Sequence, residues 1–319
     1  MYISEKLGLT IEGHKDIDFV DININTDVAL YIDPTLIDGL PTSWCKETKE
    51  ILLNFFGNAF ECCKTKNYSR LYKLVAFGRE PNETKLGLSI EKSQGKGTGS
   101  DHLYTIFKSV ADQCLIEKGL IELPSELCVF VNDFAEDRMS DLVTNIIRRQ
   151  LYKFTVQQCE KLGVELAKEI CGIGYYWDAD SERWQALFGS PLYVNGKKIL
   201  LVPKIIVRKK FIVSAAQYLQ KHVLTQRQSY HLAKVTEWCH KKYNKSKGYY
   251  YAPPTKKELY EKEVKGHDHK TFIRDFAMDN PKMAGFFRKR QVSEKDIWKY
   301  VLSDHELDYY VYSIKRSIA

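Results

Sequence analysis

The spacing of apolar residues divides the chain into helix-like and strand-like segments. Helices are predicted where apolar positions recur every three or four residues, over residues 43–66, 102–118 and 139–163. Strands are predicted where short runs alternate or are rich in β-branched residues, at 19–32, 71–77, 86–90 and 127–131. Strands that are separated by helices indicate an α/β or α+β core.

Further along the chain the pattern changes twice. The dipeptide Asn195-Gly196 lies between two apolar runs and favours a tight turn, so a β-hairpin is predicted there. Beyond residue 209 the spacing is mostly helical, with interruptions at Gly248 and Pro253-Pro254. The predicted fold class is an α/β or α+β N-terminal core with a β-hairpin region, followed by a mainly helical, basic C-terminal domain.

Charge is distributed unevenly along the chain. The 319 residues include 48 Lys+Arg and 41 Asp+Glu, which gives a formal net charge of +7. Residues 204–319 contain 25 of the basic residues and only 12 of the acidic ones. We therefore predict an acidic catalytic domain over residues 1–203 and a basic domain over residues 204–319. The asymmetry suggests a polyanionic partner for the basic part.

The basic part interleaves lysines with tyrosine and tryptophan. Because lysines neutralise phosphates and aromatic rings stack on unpaired bases, we predict a contact with DNA or RNA. The predicted nucleic-acid-binding residues are Lys241, Lys242, Lys245, Lys247, Arg288, Lys289 and Arg290. The alternative is a set of helices with solvated lysine faces and tyrosines in the core.

Carboxylates follow several of the predicted strands. Asp33, the pair Glu80 and Glu83, and Asp133 each come shortly after an apolar run. Ligands gather at the carboxyl ends of strands in α/β folds, so these side chains are candidates for a shared site. Such oxygens suit Mg²⁺, with Mn²⁺ as the second choice, and the metal would activate water to attack a phosphodiester.

A further acidic group lies at the start of the predicted helix after residue 136. Asp137 and Asp141 are one turn apart and share a face opposite the apolar stripe. Asp133, Asp137 and Asp141 are the predicted metal ligands, and with Asp33, Glu80, Glu83 and Lys85 they form the predicted catalytic set. The alternative is that these acidic residues cap the helix and offset its dipole.

A glycine-rich loop precedes the helix predicted at 102–118. Its backbone N–H groups predict a phosphate-binding loop formed by Gly95, Lys96, Gly97, Thr98 and Gly99. The Walker A order is absent, and a flexible connector is the alternative interpretation.

Two resemblances follow from these segments. Asp33-Pro34 with Glu83-Thr84-Lys85 resembles the half-motif of the PD-(D/E)XK nucleases, although here the proline follows the aspartate. That resemblance implies Mg²⁺-binding carboxylates and a lysine, Lys85, that orients water or stabilises developing charge. Residues 30–34, 79–99 and 137–148 are similar to uncharacterised bacterial proteins, some of them associated with defence against phage. This second resemblance implies a bacterial host and names no activity.

Several classes of protein are not favoured by the sequence. No segment approaches the ~18 apolar residues of a membrane span, and no signal peptide is expected. Eight cysteines without a C-x-x-C pair do not form a disulfide scaffold, so a cytoplasmic protein with reduced thiols and no membrane partner is expected.

Three functions remain open at this point. The first is a Mg²⁺-dependent phosphodiesterase, specifically a nuclease that hydrolyses DNA or RNA in anti-phage (antiviral) defence. The second is a non-catalytic component of a bacterial defence complex that binds nucleic acid or other proteins of that complex. The third is a nucleotide-binding enzyme that uses the glycine-rich loop.

Overall fold

The computed structural model describes residues 1–78, 81–87, 99–246, 248–280, 285 and 296–312. The chain forms two compact units. Unit 1 comprises residues 1–114, 134–212 and 292–319, and unit 2 comprises residues 115–133 and 213–291. The chain therefore enters unit 2 twice, whereas the charge pattern predicts a single boundary near residue 203.

Helices and strands are distributed over both units. The helices are α1 (Ile3–Lys6), α2 (Pro34–Gly39), α3 (Ser43–Lys64), α4 (Tyr68–Val75), α5 (Gly99–Asp112), α6 (Leu127–Phe130), α7 (Glu136–Ile146), α8 (Arg148–Leu162), α9 (Ala215–Tyr218), α10 (Leu224–Lys234), α11 (Lys256–Leu259), α12 (His269–Asp279) and α13 (Asp304–Tyr312). The strands are β1 (Tyr31–Ile32), β2 (Cys171–Asp178), β3 (Arg183–Gly189), β4 (Leu192–Val194), β5 (Lys197–Ile199), β6 (Val207–Arg208), β7 (His240–Asn244) and β8 (Gly248–Ala252). Helices α6 and α9–α12 and strands β7 and β8 belong to unit 2, and the others belong to unit 1.

Local sequence explains where several helices begin and end. The Thr42 side chain accepts a hydrogen bond from the Cys45 amide at the start of α3, and Asn67 caps α4 in the same way. These caps satisfy amide groups that the first helical turn leaves without a partner. Helix α8 ends at Gly163, which adopts a left-handed φ of 68° that glycine accommodates without strain.

Within the described residues, the strands pair only as two-stranded antiparallel sheets. The pairs are β1 with β6, β2 with β3, β4 with β5, and β7 with β8. Asn195 and Gly196 form the β4–β5 turn with φ values of 52° and 72°, as a type I′ turn requires. The hairpin predicted at this dipeptide is confirmed.

An aromatic cluster joins the β2–β3 hairpin to the helices of unit 1. Trp177 is buried, and its ring centroid lies 5.1 Å from that of Phe55 on α3. The Trp177 indole N–H donates to Asn54 Oδ1 at 2.7 Å, and the Trp184 indole donates to the Leu74 carbonyl at 2.7 Å. Both polar indole groups are therefore satisfied while the rings fill the core.

The predicted fold class is confirmed, since helices combine with small hairpins and the C-terminal region is mainly helical. Of the strand predicted at 19–32 only Tyr31–Ile32 forms, as β1, and residues 88–90 of the strand predicted at 86–90 lie outside the described residues. Two further strand predictions are wrong, because residues 71–75 lie in α4 and residues 127–130 form α6. Short apolar runs fit a buried helix as well as a strand, so periodicity alone could not separate the two. Among the described residues, no helix combines the length and apolarity needed to cross a membrane.

Candidate nucleic-acid interface

Asp33 is a buried helix cap. Its side chain is fully buried, and its carboxylate accepts hydrogen bonds from the Thr35 and Ile212 amides, each at 2.8 Å. Burial is the main cause that raises the pKa of Asp33 above its ordinary value. The side chain begins α2 and has no face open to a ligand.

Glu83 and Lys85 are both engaged in ion pairs within unit 1. Glu83 Oε1 lies 3.1 Å from Arg148 Nη1, and Lys85 Nζ lies 3.6 Å from Asp27 Oδ1. Both residues line one surface pocket. The structure therefore brings these two predicted site residues together, and Asp33 is not among the residues that line the pocket.

The predicted metal ligands are divided between the units. Asp133 is an exposed residue of unit 2 with a left-handed φ of 58°, while Asp137 and Asp141 lie on α7 in unit 1. Burial first, and then the charges of Asp137, Glu136 and Asp141, raise the pKa of Tyr31. Among the described residues, no group of three or more His, Cys, Asp or Glu side chains is arranged to hold a metal ion. The position of Asp137 in the first turn of α7 fits the helix-dipole alternative.

Several predicted residues lie outside the part of the chain that the structure describes. These are Glu80, Gly95, Lys96, Gly97, Thr98, Lys247, Arg288, Lys289 and Arg290. From the predicted phosphate loop only Gly99 is described, and it is the first residue of α5.

Three of the predicted nucleic-acid-binding residues lie together on the β7–β8 hairpin: Lys241, Lys242 and Lys245. The strand register pairs Lys241 with Tyr251 and Lys242 with Tyr250. Residues 240–252 contain four Lys, four Tyr and no Asp or Glu. The hairpin is therefore basic and aromatic along its whole length.

Both faces of the β7–β8 hairpin are open to solvent. The exposed fractions are 64% for Tyr243, 72% for Tyr249, 42% for Tyr250 and 48% for Tyr251. Successive residues of a strand point to opposite faces, so a hairpin packed on a core would bury every second side chain. Here neither face is buried, and the tyrosines are free to contact a partner.

One face of this hairpin concentrates aromatic rings. Directly opposed residues share a face, so Tyr243, Tyr249, Lys241 and Tyr251 lie on the same side. The Tyr243 and Tyr249 ring centroids are 5.2 Å apart, and Lys241 Nζ lies 4.8 Å from the Tyr249 centroid. This arrangement offers ring surfaces beside a positive charge.

A hydrogen bond between His240 and Glu258 holds the base of the hairpin to α11. His240 Nε2 lies 2.9 Å from Glu258 Oε2, and Glu258 also accepts hydrogen bonds from the amide and hydroxyl of Thr255. The hydrogen bond from His240 is the largest cause that lowers the pKa of Glu258 to about 2. The hairpin is thereby fixed to a capped helix.

A second group of contacts holds the residues just before β7. The Trp238 ring stacks on His231 at 4.7 Å between centroids, and His231 is buried. Glu263 accepts hydrogen bonds from Arg227 Nε and Nη2 at 2.8 and 2.7 Å, and Glu263 Oε1 lies 3.0 Å from His231 Nε2. This network orders the segment that leads into the hairpin.

The two units also differ in charge. Unit 2 contains 18 Lys+Arg and 11 Asp+Glu, whereas unit 1 contains 30 of each. The whole formal net charge of the chain therefore belongs to the unit that bears the exposed hairpin.

The sequence pattern located the lysines of this site but not the hairpin itself. A mainly helical reading of residues beyond 209 missed β7 and β8. Two signals were present: a turn-forming stretch, Asn244 to Gly248, and the high strand preference of tyrosine on both sides of it.

Fold and site together define a mixed helical protein in which a basic, tyrosine-rich hairpin is exposed. The chain belongs to the DUF8370 family, described as a domain of unknown function, which matches residues 8–214. The matched range ends before the β7–β8 hairpin. No curated protein and no solved structure matches the chain.

Proposed function

We propose that the chain binds single-stranded nucleic acid through the β7–β8 hairpin. The observation that carries this proposal is the exposure of lysines and tyrosines on both faces of a hairpin that is free of acidic residues. Within the described residues, no carboxylate lies at ion-pair distance from Lys241, Lys242 or Lys245. Their charges are therefore available to a polyanion.

The lysines supply the electrostatic part of the affinity. Each lysine that neutralises a phosphate releases condensed counterions, which makes binding favourable and strongly dependent on salt. This contribution is insensitive to base sequence, and it does not distinguish DNA from RNA.

The tyrosines favour single strands over duplexes. Unpaired bases expose their faces and stack on aromatic rings, which contributes about 1–3 kcal/mol per base. A duplex keeps its bases stacked on each other, so Tyr243 and Tyr249 would gain little from it. The paired rings on one face of the hairpin thus match a strand with unstacked bases.

Fluorescence anisotropy with labelled oligo(dT), oligo(U) and a matched duplex tests the proposal. We expect tighter binding of the single strands. The variant K241Q/K242Q/K245Q should bind at least about tenfold more weakly, and the slope of log K against log[salt] should flatten by about 2. The variant Y243A/Y249A should also bind weakly but keep the wild-type slope, because it removes stacking and no charge.

A matched control removes three lysines of unit 1 instead. Lys46, Lys64 and Lys73 are exposed helix residues, so K46Q/K64Q/K73Q changes the net charge by the same amount. Equal losses in this control and in the hairpin variant would mean that only net charge matters. Absence of binding by the wild-type chain would also overturn the proposal.

Metal-dependent cleavage and a role in defence stay predictions. Asp33 caps a helix, Glu83 pairs with Arg148 and Asp137 lies in the first turn of α7, so these carboxylates support a nuclease less than the hairpin supports binding. A plasmid-nicking assay with Mg²⁺, Mn²⁺ and EDTA tests cleavage directly. Metal-dependent nicking that D137N/D141N abolishes would restore the nuclease hypothesis.

A further inference from the structure

A pocket of about 440 Å³ lies on the surface of unit 1, remote in sequence from the hairpin. Its lining residues are Asn82, Glu83, Lys85, Lys197 and Lys198. Three of these five side chains are lysines, and the pocket has the volume of a small-molecule site.

Two backbone hydrogen bonds hold the loop that carries Lys85. Leu200 donates its amide to the Glu83 carbonyl at 2.9 Å, and Val28 donates to the Lys85 carbonyl at 3.0 Å. Lys85 itself has a φ of 54°, an uncommon conformation for a residue with a side chain. Such strained positions persist where the surroundings fix them, and they cluster at binding sites.

The other two lysines come from the β4–β5 hairpin. The Asn195-Gly196 turn fixes the register, so Lys197 pairs with Val194 and Lys198 with Tyr193. The Lys198 ammonium donates to the Gly172 carbonyl at 2.6 Å, a neutral partner that leaves its charge uncompensated. In the part of the chain that the structure describes, no carboxylate pairs with Lys197 or Lys198.

The single carboxylate of the pocket is already neutralised. Glu83 pairs with Arg148, whose side chain is only 6% exposed. The same guanidinium donates to Asn145 Oδ1 at 2.7 Å and to the Tyr175 and Ile173 carbonyls at 3.1 and 3.4 Å. Arg148 is thus fixed. Lys85 pairs with Asp27 at 3.6 Å, so the uncompensated positive charge of the pocket comes from Lys197 and Lys198.

We propose that this pocket binds the phosphate groups of a small phosphorylated molecule. Lysine ammonium groups are point charges that bind phosphate oxygens, and the Asn82 amide adds a hydrogen-bonding group. An anion would compensate the charges of Lys197 and Lys198, and the volume leaves room for more than one phosphate. The site lies inside the range that matches the family, unlike the hairpin.

Isothermal titration calorimetry of the full chain with inorganic pyrophosphate at low ionic strength tests the proposal. Saturable binding with one site per chain is expected. The variant K85Q/K197Q/K198Q should weaken it at least tenfold, whereas K46Q/K64Q/K73Q should leave it within twofold of wild type. The single reversal K197E should weaken binding several-fold, which keeps the test valid if the triple variant does not fold.

The same variants separate this site from the hairpin. K85Q/K197Q/K198Q should bind oligo(dT) as the wild type does, and K241Q/K242Q/K245Q should bind pyrophosphate normally. Failure of pyrophosphate to bind, or equal weakening in the pocket and control variants, would overturn phosphate binding by the pocket. The proposal that the hairpin binds nucleic acid would not be affected by that result. Competition between oligo(dT) and pyrophosphate that K85Q/K197Q/K198Q abolishes would overturn the assignment to a small molecule, because the pocket would then hold nucleic-acid phosphates.

Discussion

Gly174 packs so closely against the buried, charged side chain of Arg148 that an added methyl group would displace it. A Cβ atom at this position would lie 2.9 Å from Cδ and Nε of Arg148, and the φ of Gly174 is 133°. Both the contact and the backbone conformation exclude a larger residue without movement.

We expect G174A to lower the free energy of unfolding by about 2 kcal/mol, because strained backbone positions cost ~1–3 kcal/mol each. Urea denaturation measures the change. The matched control is G172A on the same strand, where the nearest atom to an added Cβ is Phe188 Cε1 at 4.0 Å. Equal effects of the two substitutions would contradict the strain that the backbone conformation and the Arg148 contact impose at position 174.

At the scale of elements, we expect the junction of β7 with α11 to be sensitive to acid. The pKa of Glu258 is lowered to about 2, chiefly by the hydrogen bond from His240. A carboxyl group with a lowered folded pKa stabilises the fold when ionised. That contribution is complete above its ordinary pKa of 4.5 and is lost as the pH falls toward about 2.

NMR titration of the Glu258 carboxyl and the Thr255 amide checks this expectation. The Glu258 resonance should titrate far below 4.5 in the wild type, and H240A should bring its midpoint back toward the ordinary value. The conservative variant E258Q should show no transition of the Thr255 amide in this range. A wild-type midpoint near 4.5 would contradict a hydrogen bond between His240 and Glu258 that holds the hairpin to α11.

At the scale of the whole molecule, unit 1 joins residues from both ends of the described chain through a buried polar network. Asp21 is fully buried and accepts hydrogen bonds from the Ser4 hydroxyl at 2.6 Å and the Tyr312 hydroxyl at 2.8 Å. Burial first, then the charge of Asp21, raises the pKa of Tyr312. His14 connects the same region to Asp308 at 2.6 Å.

Because D21A would leave buried donors without an acceptor, we expect it to lower the free energy of unfolding by about 3 kcal/mol. Thermal and urea unfolding measure this loss. The exposed Asp16 is the comparison, and D16A should change stability by no more than about 0.5 kcal/mol. A D21A variant as stable as D16A would show that the network is not needed to hold these segments together.

Sequence alone was sufficient for features that local chemistry fixes. The long helix α3 follows from its apolar stripe, the β4–β5 turn follows from Asn195-Gly196, and the basic region follows from counting charges. Each of these features depends on residues that are neighbours in the chain, so the local sequence pattern is enough to predict it.

Only the tertiary structure decided where distant residues meet. It buried Asp33, whose carboxylate accepts a hydrogen bond from the Ile212 amide, and it paired Glu83 with Arg148. It also brought Lys85, Lys197 and Lys198 to the wall of one pocket. In the tertiary structure both faces of the β7–β8 hairpin are exposed to solvent, and neither packs against a hydrophobic core. Burial and ion pairing depend on packing between segments far apart in sequence, and the same carboxylate caps a helix or binds a ligand according to that packing.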